Sequence, residues 1–92
     1  MEAKELRIGN YILSGENNVF SILRVEYFDN DFVFFIGENT GDLLSECKPT
    51  PLTEGWLDKL PNDLVYPEWI EFVHDLQNWY YYKNQKKELK LK

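Results

Sequence analysis

The chain has 92 residues, a formal net charge of −6 and a hydrophobic content of 43%, which predicts one small folded domain rather than a disordered chain. The charge is uneven, because residues 1–82 carry fifteen acidic and five basic side chains, whereas residues 83–92 carry five lysines and one glutamate. An acidic body argues against ordinary binding to a phosphate backbone, which needs clustered Lys and Arg. It is compatible with docking onto a basic protein surface, or with solubility alone.

Cysteine usage and the N-terminal residues indicate the compartment. Cys47 is the only cysteine, so no internal disulfide can form, and this favours a reducing environment. The first five residues lack the basic and apolar run of a signal peptide. No apolar segment approaches the ~20 residues that a membrane helix needs. We therefore expect a cytoplasmic protein without a membrane partner.

The N-terminal half, residues 6–47, predicts an antiparallel sheet. Its apolar residues alternate with polar ones, and clusters of Gly, Asn and Asp separate the runs. The predicted strands cover residues 6–13, 19–28, 32–36 and 43–47, with a turn at 14–18. Such short strands fit a strongly bent sheet, including a small SH3-like barrel, or a flat sheet with a helix across one face. The sequence leaves both open.

The alternation is clearest over residues 19–28. It places Val25 and Tyr27 on one face of the strand, and Arg24 and Phe28 on the other. The second face also carries a glutamate, so its middle should face water.

Residues 48–52, which include Pro49 and Pro51, are expected to leave the sheet in an extended conformation. After Pro51 the apolar period changes from two to about 3.6, which predicts helices. A short helix is expected over residues 53–60, with Thr53 as its N-cap and with Leu52 and Leu57 as a hydrophobic staple. A longer helix is expected over residues 67–82, with Pro67 in its first turn.

The residues of the longer helix divide into two faces. The apolar stripe comprises Trp69, Phe72, Val73, Leu76, Trp79 and Tyr80. The face expected to meet water comprises Glu71, His74, Asp75, Gln77 and Asn78. The last segment, residues 83–92, is expected to be frayed or a loose strand. The whole chain is thus predicted to be a single α+β domain with an N-terminal bent sheet of about four strands, one short helix and one longer helix.

Few residues suit catalysis or metal binding. His74 and Asp75 are neighbours on a helix, so their side chains should point about 100° apart and form no dyad. Cys47 has no activating neighbour beyond Lys48, and burial as a small apolar residue is expected. One His and one Cys cannot form a structural zinc site, and the acidic cluster near Asp29 lacks the spacing of a calcium loop. We expect a protein that is not an enzyme and has no cofactor or metal.

Three segments carry a resemblance to known sequences. They are residues 6–10 (Leu-Arg-Ile-Gly-Asn), residues 49–57 (Pro-Thr-Pro-Leu-Thr-Glu-Gly-Trp-Leu) and residues 73–80 (Val-His-Asp-Leu-Gln-Asn-Trp-Tyr). Together they resemble a family of small uncharacterised proteins of bacterial and phage genomes. The chain departs from that family's pattern at Thr50, Gly55, Asp75 and Trp79, and in its lysine-rich tail.

The family has no settled activity, so the resemblance implies an origin in mobile or phage-linked DNA rather than a mechanism. Small acidic proteins of that origin are similar to inhibitors of host defence, including anti-CRISPR proteins. The resemblance therefore implies binding to a nucleic-acid-handling protein, such as an RNA-guided nuclease or its RNA-loaded complex. The alternative is a self-associating structural or housekeeping module in which Trp79 and the tyrosines are buried in a homodimer.

If the protein is an inhibitor, acidic and aromatic side chains near the loops and the polar side of the main helix should contact the partner. The expected contacts are Asp29, Asp31, Glu71, Asp75, Tyr81 and Tyr82, with Trp79 supporting them from below. Direct nucleic-acid binding is expected only through the lysine tail, residues 83–92, and the acidic body opposes it.

Overall fold

The computed structural model describes residues 1–16 and 19–91. The fold is α+β, as the sequence predicts, with a curled antiparallel sheet in the N-terminal half and the longest helix near the C-terminus. The strands are β1 (Tyr11–Glu16), β2 (Val19–Phe28), β3 (Phe32–Phe35), β4 (Asp42–Leu43) and β5 (Lys48–Pro49). The helices are α1 (Glu54–Leu57) and α2 (Val73–Lys83), with short 3-10 turns at Ala3–Glu5 and Leu44–Glu46.

The five strands form one sheet in the order β4-β3-β2-β1-β5. The fifth strand was not predicted. Lys48 and Pro49 pair with Leu13 and Ile12 of β1, and a proline is tolerated there because β5 is an edge strand. The sequence therefore shows the extended conformation of this segment but not its strand partner.

The first and fourth strands differ from their predicted bounds. β1 begins at Tyr11 rather than at residue 6, because Gly9 has a φ of +94° and the Asn10 side chain accepts a bond from the Arg7 amide, so a turn precedes the strand. Ser14–Glu16 continue β1, and residues 17 and 18 of the predicted turn lie outside the described residues. The segment predicted as strand 43–47 pairs only at Asp42 and Leu43.

A 3-10 turn replaces the rest of that fourth strand. The Leu44 amide donates to the Asp31 carbonyl (2.8 Å), and the Cys47 amide closes the turn on the Leu44 carbonyl (3.1 Å). Residues three apart in a 3-10 turn share a face, so Leu44 and Cys47 both enter the core.

The sheet curls around its own core. In the strand order, β1 and β4 are separated by two strands, yet the Ser14 hydroxyl of β1 donates to the Asp42 carboxylate of β4. Only a strongly curled sheet brings these strands together, so the flat alternative is wrong. The enclosed sheet core consists of Leu6, Ile12, Val25, Val33, Phe35, Leu44 and Cys47.

A β-bulge reverses the predicted faces at the end of β2. Val25 pairs with Phe35, but Tyr27 pairs with Phe34, so β2 contains one residue more than β3 across this interval. The extra residue shifts the alternation by one position. As a result Phe28 packs against the sheet core, whereas Tyr27, predicted to share the face of Val25, is exposed.

The longer helix begins at Val73 rather than at residue 67. The Leu52 amide donates to the Glu71 carbonyl and the Val73 amide donates to the Thr50 carbonyl, both at 2.9 Å. Phe72 has extended dihedrals and bridges to Pro51. Because these long-range bonds hold residues 71–73 beside residues 50–52, the preceding segment cannot be helical, and Trp69 is 69% exposed instead of lying on a buried stripe.

The segment predicted as a short helix over 53–60 has α-helical structure only over Glu54–Leu57, and a turn continues to residue 60. Thr53 is the N-cap residue, but its side chain makes no capping bond. Trp56 and Leu60 are buried, and Leu57 is exposed.

The C-terminal tail packs back onto the protein. Lys83 is the last residue of α2, and Gln85 and Lys86 then adopt left-handed φ values of 56° and 63°. This turn reverses the chain, so that Leu89 joins a second core, the helix core, with Leu60, Ile70 and Leu76. The described part of the tail is therefore not frayed, and Lys92 lies outside the described residues.

Candidate functional site

Four apolar side chains form a strip on the outer face of the sheet. Phe32 and Phe34 lie two residues apart in β3, opposite to Val33 and Phe35, which are buried in the sheet core. Phe34 pairs with Tyr27 and Phe32 pairs with Leu43. We call Tyr27, Phe32, Phe34 and Leu43 the outer strip. Three of its members are exposed, and Phe34 is half-buried.

The outer strip is an ordered surface. The rings of Tyr27 and Phe34 stack with centroids 4.4 Å apart and planes 12° apart. The backbone of Gly41 lies close beneath Phe34, where an added Cβ would be 2.6 Å from the ring. Phe34 is thus held between Tyr27 and Gly41, which fixes the middle of the strip.

An acidic turn, residues 29–31, adjoins the outer strip at Phe32. The Asp29 carboxylate accepts the backbone N–H groups of Asp31 and Phe32, both at 2.8 Å. These bonds to the Phe32 and Asp31 amides lower the pKa of Asp29. Asp29 therefore has a structural role in the hairpin turn, whereas the Asp31 side chain is exposed beside the strip.

The remaining predicted contacts lie on or before α2. Glu71 is exposed and precedes the helix, and Asp75, in its first turn, is half-buried. Tyr82 is exposed, and its ring meets that of Tyr81 edge-on at 5.3 Å. Tyr81 lines a cleft together with Tyr27. Tyr81 therefore lies near Tyr27 of the outer strip, whereas Glu71 lies before α2 and Asp75 lies in its first turn.

His74 is buried instead of facing water. Its side chain is 2% exposed, and Nε2 lies 3.3 Å from Oδ1 of Asp75. These neighbours, which the sequence predicts to point apart, therefore contact each other through their side chains. Within the described residues Nδ1 has no hydrogen-bond partner. Such burial leaves no surface through which a substrate could reach His74.

Lowering the pH should destabilise the protein through His74. Burial lowers the pKa of His74 below its ordinary value of 6.5, although Asp75 and Glu5 act in the opposite direction. The unfolded state therefore binds the proton more strongly, and the free energy of unfolding should fall as the pH drops below about 6.5 toward the folded-state pKa. Urea unfolding of the wild type and His74→Gln between pH 7.5 and 5 tests this. If the free energy of unfolding depends on pH equally in the two proteins, this prediction is contradicted.

Cys47 is buried in the sheet core, as predicted. Its thiol donates weakly to the Leu43 carbonyl at 3.5 Å. Desolvation raises the pKa of the Cys47 thiol, with a smaller opposing effect of Ser14. Among residues 1–16 and 19–91, no group of three or more His, Cys, Asp or Glu side chains is placed to hold a metal ion.

A buried amide network joins the N-terminal segment to α2. Gln77 accepts from the Tyr11 amide and donates to the Gly9 carbonyl, both at 2.9 Å. Asn78 accepts from the Asn10 side chain and donates to the Glu5 carbonyl, also at 2.9 Å. Gln77 was expected to face water. The only signal for this contact in the sequence was that the segments 6–10 and 73–80 both contain amide side chains.

The comparisons with known proteins give no relative for this fold or surface. No family model, curated protein or solved structure matches the chain. In the described parts of the chain, α2 is the longest helix and has eleven residues, and none of the helices is long and apolar enough to cross a bilayer.

Proposed function

We propose that this protein acts by binding another protein stoichiometrically, without catalysis, and that the outer strip is its contact surface. The observation that carries the proposal is the exposure of three ordered apolar side chains on one sheet face, next to the exposed carboxylate of Asp31. Contiguous exposed apolar surface is uncommon on isolated soluble domains and is typical of interaction sites. Tyr and Phe in such positions supply much of the contact energy at protein interfaces.

The charge of the molecule supports a basic partner. Residues 1–82 have ten more acidic than basic side chains, so the body should attract a positively charged surface and accelerate association. Proteins that handle nucleic acids present such surfaces, because they bind phosphates through Lys and Arg. The partner that we propose is accordingly a nucleic-acid-handling protein, such as an RNA-guided nuclease, whose basic groove the acidic protein would occupy.

The decisive experiment is inhibition of purified nuclease from the organism that carries the gene. A stoichiometric binder should reduce cleavage in proportion to its concentration until about one equivalent has been added. Full inactivation by a small fraction of one equivalent would indicate turnover and would overturn the proposal of a binding protein.

Leu43→Ala tests the outer strip, and Leu57→Ala is its matched control. Both leucines are 41% exposed, but Leu57 lies on α1 and not on the strip. If Leu43 is an interface anchor, its truncation should weaken binding by about 1–3 kcal/mol, mainly through faster dissociation. Surface plasmon resonance against the immobilised nuclease measures this. Equal affinities of the two variants would exclude the strip as the contact surface.

Charge reversal tests the acidic turn in the same assay. Asp31→Lys should slow association and reduce its salt dependence, whereas reversal at the exposed Asp63 should have a smaller effect. If both reversals leave the association rate unchanged, the acidic surface serves solubility only.

Light scattering after size-exclusion chromatography tests the alternative that the protein self-associates. Trp79 is half-buried against the helix core of its own chain, whereas three members of the outer strip are exposed. A micromolar dimer that Phe32→Ala dissociates would assign the outer strip to a second copy instead of a nuclease.

A further inference from the structure

Arg7 is held at the base of an open cleft between the N-terminal segment and the tail. Its guanidinium stacks on the Tyr81 ring, with Cζ 3.6 Å from the ring centroid. The side chain is only 15% exposed. Nη1 and Nη2 donate to the two carboxylate oxygens of Glu88 at 2.7 and 3.3 Å, and Nη2 also approaches the Gln77 carbonyl at 3.4 Å. Arg7 is thus a preformed, oriented carboxylate receptor.

The carboxylate that fills this receptor comes from the tail. Glu88 is 45% exposed, and its neighbour Leu89 anchors it to the helix core. A planar guanidinium binds a carboxylate through two parallel bonds, and the same geometry serves a carboxylate of any origin. Glu88 therefore occupies a position that the carboxylate of a ligand could take.

The cleft beside Arg7 has room for more than a carboxylate. Its volume is about 500 Å³, which is within the range of small-molecule sites. Apart from Arg7 and Glu88 its walls are apolar or aromatic, and they comprise Leu6, Ile8, Tyr27, Phe28 and Tyr81. With Glu88 displaced, the cleft would contain a single positive charge against an apolar lining.

We propose that this cleft binds a small monocarboxylate with an apolar or aromatic body, and that Glu88 is an internal competitor for Arg7. The ligand carboxylate replaces that of Glu88 on the guanidinium, and the apolar body packs between Ile8 and Tyr81. A second negative charge on the ligand would have no partner in the cleft. The proposal concerns the cleft alone and does not depend on the function assigned to the outer strip.

Internal competition has a measurable consequence. The apparent affinity of a ligand equals its intrinsic affinity multiplied by the fraction of molecules in which its receptor is free. Glu88→Gln removes the competing charge while preserving the size of the side chain, so it should lower the apparent Kd for a monocarboxylate at least about fivefold.

The test is an NMR titration of the full chain with 3-phenylpropionate, followed by amide and aromatic chemical shifts. We expect binding to Glu88→Gln that is at least about fivefold tighter than to the wild type, with shifts centred on Ile8, Tyr27 and Tyr81. Glu38→Gln, which removes an exposed carboxylate elsewhere, should behave as the wild type. Arg7→Lys should abolish binding, because it loses the two-pronged geometry.

Neutral 3-phenylpropionamide provides a control that does not depend on the folding of any Arg7 variant. It has the same body without the charge, and should not bind Glu88→Gln. The proposal is overturned if the acid and the amide bind equally, if Glu88→Gln binds the acid no more tightly than the wild type, or if the shifts lie away from the cleft.

Discussion

Replacing Gln77 by alanine should lower the free energy of unfolding by about 2 kcal/mol, because it leaves the Tyr11 amide without its side-chain acceptor, at a cost of about 1–3 kcal/mol for a buried group, and removes one of the two side-chain donors to the Gly9 carbonyl. Gln77 is 4% exposed and bonds both groups at 2.9 Å. The Asn10 side chain, which is itself buried, would lose a further contact at 3.4 Å. The change removes the centre of the network that holds the N-terminal segment on α2.

Urea unfolding followed by tryptophan fluorescence measures this loss, with Lys87→Ala as an exposed control. Gln77→Glu is a more demanding comparison. It preserves the shape and the acceptor for Tyr11, but it loses the donor to Gly9 and buries a charge, so it should also be strongly destabilising. A midpoint for Gln77→Ala within experimental error of the wild type would mean that the amide network contributes nothing to stability.

Removing residues 85–92 should destabilise the protein by about 3 kcal/mol, because a buried leucine truncated to a smaller group costs about 2–5 kcal/mol and Leu89 is 8% exposed in the helix core. The truncation also removes Glu88, the carboxylate that pairs with the largely buried Arg7. Loss of one partner from such a pair adds to the cost, since the remaining charge stays partly desolvated.

Two full-length variants separate these contributions. Leu89→Ala should reproduce most of the loss in unfolding free energy, and Glu88→Gln should reproduce the remainder. Lys90→Ala, at an exposed position between Leu89 and Leu91, should leave the urea midpoint unchanged. If the truncated protein is as stable as the full chain, the tail behaves as the loose segment that its lysine content predicts.

The two experiments examine contacts that join distant parts of the chain. Gln77 and Asn78 bond residues that precede them by 66 to 73 positions, and Arg7 meets Glu88 across 81 positions. Two further bonds, from Gln77 to Gly9 and from Asn10 to Asn78, directly connect the segments 6–10 and 73–80. A structural role in joining the sheet to α2 is sufficient to explain why both segments contain amide side chains.

The sequence was sufficient where the determining interactions are local. The bounds of β2 follow from the apolar-rich run over Val19–Phe28 between two turn clusters, and Asp29 closes the hairpin by bonding the backbone two and three residues ahead. The change of apolar period after Pro51 correctly separates the sheet from the helices. Burial of Cys47 follows from its small apolar side chain and from the lack of an activating neighbour.

Tertiary contacts determine the features that the local sequence patterns predicted wrongly. The start of α2 depends on backbone bonds from residues 71–73 to residues 50–52, which override the helical period that begins near Pro67. One extra residue in β2 exchanges the faces of Tyr27 and Phe28 and so creates the outer strip. That exchange depends on the pairing register with β3, which the alternation within β2 does not encode.

The largest differences between the predicted and the observed burial concern polar and charged side chains. His74 and Gln77 have the polarity of surface residues, yet both are buried. Gln77 gains an acceptor and a donor on the N-terminal segment, which compensate for the loss of water, whereas His74 contacts the carboxylate of its neighbour Asp75. The lysines of the tail suggest a solvated end, yet the turn at Gln85 and Lys86 returns Leu89 to the helix core. The sequence determines which residues can be buried, but only the fold supplies the partners that make burial of a polar group favourable.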